Sequence, residues 1–382
     1  MTHGAQTILV TGAKGFIGRN LSAHLRRREN VRLLAYDRDN TEAEFCQWAS
    51  EADVVFHLAG ANRPQNAEEF ESDNVAMTES LCRVLADAGR EPQIVFSSSI
   101  QAEFDNPYGR SKRRAENVLR EFAASTGAPV AVFRLKNVFG KWCLPNYNSV
   151  VATFCHNVAH DLPIQITDPD RELELVHVDD VVAAFLSQMD QPRRYDEGLV
   201  TPDPISSHTV ALGDLASRIE SFRGIRRSLH LPDFSIRFNQ QLYATYLAYV
   251  DPSCWEYGLD VKCDDRGNLA ELLKSSGSGQ IFVSRTRPGV TRGNHYHHVK
   301  AEKFLVLSGE GVIRLRHIEN PEIHEFRVRG ADYRVVDIPP GYTHSITNVG
   351  ATEMITLFWA SEIFDPDRPD TFFLPVDLRA AA

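Results

Sequence analysis

Up to about residue 190 the chain alternates short apolar runs rich in β-formers with segments of helical periodicity. The runs are TILVTG, VRLLAYD, DVVFHLAG, QIVFSSS and PVAVFRLKNVFG, and the helical segments include residues 18–28 and 74–88. Strands that are apolar along their length and separated by helices belong to a parallel sheet covered on both faces. This half therefore predicts an α/β, doubly wound, Rossmann-type sheet. In residues 190–250, DQPRRYDEGLVTPDP reads as loops and short strands, while LGDLASRIESFRGI and NQQLYATYLAYV predict helices. From about residue 260 the pattern changes to short alternating segments punctuated by Gly and Pro: GQIFVSRT, EKFLVLSG, GVIRLRHI, HEFRVRG, YRVVDIPPG and EMITLFWA. Such segments predict antiparallel strands closing a small all-β barrel. The expected domains are residues 1–250 and 251–382.

A chain of 382 residues with 43% hydrophobic residues has enough apolar content for two cores. The formal charge of -10 arises without any basic block, which excludes the footprint of a nucleic-acid binder. Six cysteines lie scattered with no CxxC pair, a usage that predicts free thiols in a reducing compartment. No basic and apolar leader precedes the first strand, and no run approaches the roughly 18 apolar residues of a membrane helix. A soluble cytoplasmic protein without membrane partners is expected.

Candidate chemistry begins at TGAKGFIGRN, where Gly12, Gly15 and Gly18, with Phe16 and Ile17, lie between a strand and a helix. Glycines serve there because backbone must approach a pyrophosphate resting on the helix N-terminus. Asp37 ends the second strand, where a carboxylate receives a ribose hydroxyl and favours NAD. Arg38 follows, and a guanidinium suits the 2'-phosphate of NADP, so this pair alone leaves both cofactors open. In NPYGRSKRRAENVLREF, Tyr108 and Lys112 fall one helical turn apart. An ammonium beside a phenol is expected to lower its pKa, fitting it for proton transfer at a sugar oxygen while a nicotinamide handles the hydride. Ser99, at the end of FSSS, is placed to hydrogen-bond a substrate carbonyl. Farther on, His295 and His297 share one side of a strand. Glu302 and His344 complete a donor set for zinc or another divalent first-row metal.

With these residues in hand, the first 250 positions resemble the extended short-chain dehydrogenase/reductases that act on nucleotide sugars. The likeness rests on the three glycines, on HLAG (His57, Leu58, Ala59, Gly60), on Ser99, Tyr108 and Lys112, on RLKNVFG with Asn137, and on VHVDDV. Two departures stand out: Arg38 after the acidic residue, which tilts the expectation to NADPH, and only nine positions between Ser99 and Tyr108. The resemblance implies that Leu58, Ala59 and Gly60 line the cofactor site and that Asn137, with Asn146 and Asn148 in the following loop, binds the sugar nucleotide. The His-x-His-x4-Glu and Pro-x-Gly-x2-His-x3-Asn spacings resemble the two cupin motifs. Segments such as HLAGANRP, DNPYGRSK, FGKWCLPNYNSVVATFC, GNHYHHVKAEKFLVLSGEGVIR and VVDIPPGYTH extend the likeness over the whole chain, to bifunctional capsule and O-antigen enzymes that join a reductase to a cupin. That resemblance implies a route to UDP-N-acetyl-L-fucosamine. The cupin epimerises C3 of a UDP-linked 6-deoxy-4-keto-N-acetylhexosamine, and the first domain reduces C4 with NADPH. It also implies zinc and a homodimer. Three other readings stay open: a reductase whose cupin is a metal-stabilised dimerisation module, a redox-neutral epimerase that retains NAD, and a sensor without catalysis. Tyr296, His298 and Lys303 are the candidates for a base beside the metal.

Overall fold

The structure, a computed structural model, describes residues 5–61, 70–191 and 199–377. The end of HLAGANRP (62–64) and the core of the 190–204 stretch (192–198) lie outside the described residues. The chain divides into two compact units, residues up to 220 with 241–251, and residues 221–240 with 252 onward. Residues 221–240 thus group with the second unit, although they precede the change of pattern near residue 251. No helix among the described residues is long and apolar enough to cross a membrane.

The first unit is built on β1 (Gln6–Thr11), β2 (Val31–Tyr36), β3 (Val54–His57), β4 (Gln93–Ser99) and β5 (Val130–Leu135). Together with the short strand Leu199–Val200 they form one sheet of order β2-β1-β3-β4-β5 and then 199–200, every pairing parallel. Side-chain alternation divides β1 between two cores: Leu9 packs with Ile94 and Leu119 on one side, Ile8 and Val10 with Phe56 and Phe185 on the other. The helices α1 (Phe16–Leu25), α2 (Glu42–Glu51), α3 (Met77–Asp87) and α4 (Pro107–Thr126) include those that carry the motifs. Local sequence sets their ends. Thr41 and Glu44 form a reciprocal capping box on α2. Asn106 accepts the Gly109 amide and Pro107 opens α4, which Gly127 closes in the left-handed region at φ 82°.

PVAVFRLKNVFG, read as a single strand, is two. Beyond Leu135 the chain leaves the main sheet at Lys136, whose ammonium pairs with Glu174 and donates to Ser207 Oγ at 3.0 Å. Asn137–Phe139 then pairs with Glu172–His177 in a separate three-stranded sheet completed by His208–Ala211.

The second unit holds two sheets that share a core of Phe304, Val306, Ile313, Leu315, Ile346 and Phe358. One sheet contains Gly267–Ser275, Gly279–Thr286, Met354–Ala360, Glu302–Ser308 and Val335–Ile338. The other contains Ile323–Arg329, Glu310–His317, Tyr342–Asn348, Thr291–Tyr296 and Phe372–Phe373. All of the strand segments predicted by alternation appear. The expected closed barrel does not: among the described residues no ladder joins one sheet to the other, and alternation fixes which face is buried without fixing closure.

Candidate functional site

The glycine loop packs against the HLAG segment. Gly12 has φ 71°, and a Cβ there would come within 2.8 Å of the Ala59 nitrogen, so this approach admits only glycine. Gly15 is the N-cap of α1 with no side-chain cap, which leaves the first amides, those of Phe16 and Ile17 included, available to an anion. The Asp37 carboxylate accepts the backbone N–H groups of Lys14 (2.7 Å) and Arg38 (2.9 Å). It therefore anchors the loop. Around it stand two cations: the exposed Arg38, 3.1 Å from Asp73, and Lys14, paired with Asp39. Lys14 was not singled out by sequence, although its place in the glycine motif is the signal.

Beneath the loop, His57 is fully buried, with Nδ1 at 2.8 Å from Thr11 Oγ1 and Nε2 at 2.9 Å from Thr78 Oγ1. Burial pushes its pKa down to about 3, with Lys112 adding to the effect. The folded ring resists a proton that the unfolded ring accepts below 6.5. The first unit is therefore expected to lose stability as the pH falls from about 6.5 to about 3, with no further loss from this group below. Urea midpoints of wild type and His57→Asn across that range check this: their difference should change with pH, and a constant difference would contradict it.

Ser99 and Tyr108 are brought together by a short connection. A 3-10 turn (Ile100–Glu103) leads to the Asn106 cap, and Asn106 Nδ2 donates to Gln101 Oε1 at 3.0 Å. A Cβ at Gly109 would collide with the Gln101 carbonyl. This fit makes nine positions sufficient. The half-buried Tyr108 phenol lies close enough to Ser99 to feel it, while Ser99 Oγ accepts the Gln101 backbone N–H at 3.2 Å. Its pKa is raised to about 12 by burial, against the pull of Ser99 and with a push from Tyr147. That corrects the expected lowering by Lys112, whose ammonium lies 6.0 Å from the Tyr108 ring centroid and donates instead to the Ser97 carbonyl at 3.1 Å. Burial lowers Lys112 to about 8. One turn on, buried Glu116 accepts Ser98 Oγ at 2.5 Å and Arg134 Nη2 at 2.6 Å, a network that holds α4 to β4 and β5.

Gly60 meets this group directly, since a Cβ there would lie 2.5 Å from Asn74 Oδ1 and 3.2 Å from Lys112 Nζ. Asn74 is buried in a π-helical turn (Glu71–Ala76) and bonds both Ala61 and Ser111. Sequence reasoning missed it because a π turn leaves no periodic signature. The three candidate substrate asparagines are exposed. Asn137 donates to the Glu174 carbonyl at 3.3 Å, and Asn146 sits at φ 56°. Their loop also carries Trp142, at φ 69° with Arg19 and Lys141 over its ring at 5.3 and 5.5 Å.

In the second unit, His295, His297, Glu302 and His344 converge with donor atoms within 4.8 Å of one another. The Thr291–Tyr296 strand pairs His295 with His344, and the Glu302–Ser308 strand supplies the carboxylate from the other sheet. His297 Nε2 and His344 Nε2 stand 3.4 and 3.2 Å from Glu302 Oε2. None of these three buried atoms has a hydrogen-bond partner. Such orphaned donors are costly unless something else satisfies them, and the set fits a divalent ion. Burial pushes His295 down to about 4, helped by His344. For Glu302 burial acts upward, but the two imidazoles outweigh it and hold the carboxyl well below the usual range. Tyr296 and His298 lie together outside the cluster, packed on Phe372 at 5.3 and 4.8 Å. Lys303 turns away to pair with Asp337 at 2.5 Å.

The pattern of the NAD dependent epimerase/dehydratase family matches residues 8–200, and that of the polysaccharide biosynthesis C-terminal domain matches residues 262–372. CapF from Staphylococcus aureus, a capsular polysaccharide assembling protein, superimposes with a TM-score of 0.88 at 43% identity, covering 97% of this chain and 100% of that one. The chain belongs to the CapF-like family. A second CapF structure, with the inhibitor 3-isopropenyl-tropolone, matches with a TM-score of 0.84 at 39% identity, covering 97% of this chain and 100% of that one. A Pseudomonas aeruginosa relative, UDP-2-acetamido-2,6-beta-L-arabino-hexul-4-ose reductase, is 42% identical over 365 residues, 96% of this chain and 97% of its own. In this CapF-like chain, Gly12 to Lys112 fall within the first matched region and His295 to His344 within the second.

Proposed function

We propose that the chain is a bifunctional nucleotide-sugar enzyme. It epimerises C3 of a UDP-2-acetamido-2,6-dideoxy-4-keto-hexose in a cupin-type second domain and reduces the C4 ketone in the first. The observation that carries this reading is the presence, in one chain, of a half-buried Tyr108 phenol within reach of Ser99 and Lys112 and of an orphaned His3Glu cluster. The reductase named in the P. aeruginosa relative supports the C4 step. A bound nicotinamide supplies the hydride, and a divalent ion, zinc in this reading, supplies the positive charge that acidifies a proton next to a carbonyl.

In the first domain, Gly12, Gly15, Phe16, Ile17 and Gly18 hold the diphosphate, and Leu58, Ala59 and Gly60 line the dinucleotide. Ser99 orients the C4 oxygen and Tyr108 delivers a proton to it. Lys112 keeps positive charge near the phenolate that remains. Asn137, Asn146 and Asn148 receive the sugar nucleotide. Arg38, joined by Lys14, takes the 2'-phosphate, because two backbone donors already occupy Asp37. The expected outcome is that NADPH supports reduction better than NADH and that Arg38→Ala erases most of the preference, read as kcat/KM for each cofactor. An unchanged ratio would contradict this assignment. Net NADPH consumption, one per ketone reduced, separates the reductase from a redox-neutral epimerase. We further propose a homodimer, which light scattering checks.

The reductase-only reading has one observation in its favour. Tyr296, His298 and Lys303 all turn away from the donor cluster, as a centre serving only to staple the fold allows.

A further inference from the structure

The neighbours of every imidazole in the second unit's donor cluster are tied to one late stretch of chain, residues 369–376. The Asp370 carbonyl accepts His297 Nδ1–H at 2.5 Å. The Asp370 carboxylate accepts the backbone N–H groups of His298, Val299 and Lys300 at 3.0, 3.0 and 2.9 Å. Phe372–Phe373 adds a strand at the edge beside His295. Thr343, next to His344, donates its hydroxyl to the Leu374 carbonyl.

An imidazole offers a metal one nitrogen, and the partner of the other nitrogen decides which. With Nδ1–H given to Asp370, the lone pair of His297 resides on Nε2, the buried atom that faces Glu302 without a hydrogen-bond partner. The three amides that Asp370 collects belong to the residues following His297, so the carboxylate also fixes the backbone turn that aims the ring. Asp370 does this from a left-handed conformation, φ 39°, which Asp tolerates better than most residues.

We propose that Asp370 is a positioning residue for the metal centre, and that residues 369–376 form a clasp that sets the tautomer of His297 and holds the 297–300 turn against the donor cluster. This rests on the metal reading above. The test uses full-length protein stripped by a chelator and titrated with Zn2+ against a chromogenic chelator, then with Co2+ followed by its visible absorption. Wild type should bind one ion per chain. Asp370→Gly, which removes the carboxylate while tolerating positive φ, should weaken Zn2+ affinity by roughly 10- to 100-fold and shift the Co2+ band. Asp370→Asn should weaken it less, and Asp367→Asn, exposed just before this stretch, should leave it unchanged. A clasp that only braces the sheet would lower the melting temperature of the stripped variants with zinc affinity and cobalt band at wild type, and that outcome overturns the proposal. Should Asp370→Gly fail to fold, Asp370→Asn decides by the same two readouts. Wild type that takes up neither ion would overturn the metal reading itself and the clasp with it.

Discussion

Tyr108→Phe is expected to cut reduction of the 4-keto sugar by roughly 10²- to 10⁴-fold, the usual worth of a positioned proton donor, while melting temperature and cofactor affinity stay near wild type. The ring keeps its packing against Phe70 and loses only the hydroxyl. With the phenol pushed up to about 12 by burial, the group is protonated at neutral pH, as the proposed transfer of its proton to the C4 oxygen requires. It is not a resting phenolate. Lys112, pushed down to about 8 by burial, then matters through the charge it retains near the site. Reduction should accordingly fall as the pH rises through about 8 and the ammonium is lost. Single-turnover NADPH oxidation measures both effects. Wild-type rates in folded Tyr108→Phe would remove Tyr108 from the role of proton donor, and no NADPH oxidation in the wild type itself would favour a sensor.

The second large effect is expected at the donor cluster. His344→Ala or Glu302→Gln should abolish stoichiometric zinc uptake and C3 epimerisation, while a 4-keto substrate already epimerised at C3 is still reduced. Both side chains are buried, so each substitution also costs folding stability, and rates are compared per folded molecule. Removing one member of a buried set leaves the remaining groups unpaired. For that reason His295→Ala, at the less buried member, is the gentler version of the same test. Epimerisation near wild type in metal-free variants would transfer the cluster to a structural role.

Sequence made the strand order of neither unit visible, yet most strands were legible because their periodicity reports burial. Ile8, Leu9 and Val10 announce a strand buried on both faces, and alternating Glu302, Phe304 and Val306 announce one buried on a single face. The donor cluster was legible because His295, His297 and Glu302 lie within eight residues and His344 carries its own spacing. What escaped depends on contacts between distant residues. Asp370 is 73 residues from His297, and no local pattern links them. Glu116 looks like any surface acid of an amphipathic helix until Arg134 and Ser98 close on it. The Tyr108–Lys112 spacing correctly placed both groups on one helix face. Distance and burial then reversed the sign expected for the phenol, because an ammonium acts over a short range and desolvation acts everywhere in the pocket.

The central claim is that one chain carries two chemistries, and it is tested most directly by leaving one of them without fuel. The UDP-4-keto-6-deoxy-N-acetylhexosamine is incubated with the zinc-loaded protein in heavy water without NADPH, and C3 is followed by NMR. The account predicts deuterium at C3 in the absence of any reduction, then reduced product on adding NADPH. No exchange at C3 in a protein that still reduces the ketone would contradict it.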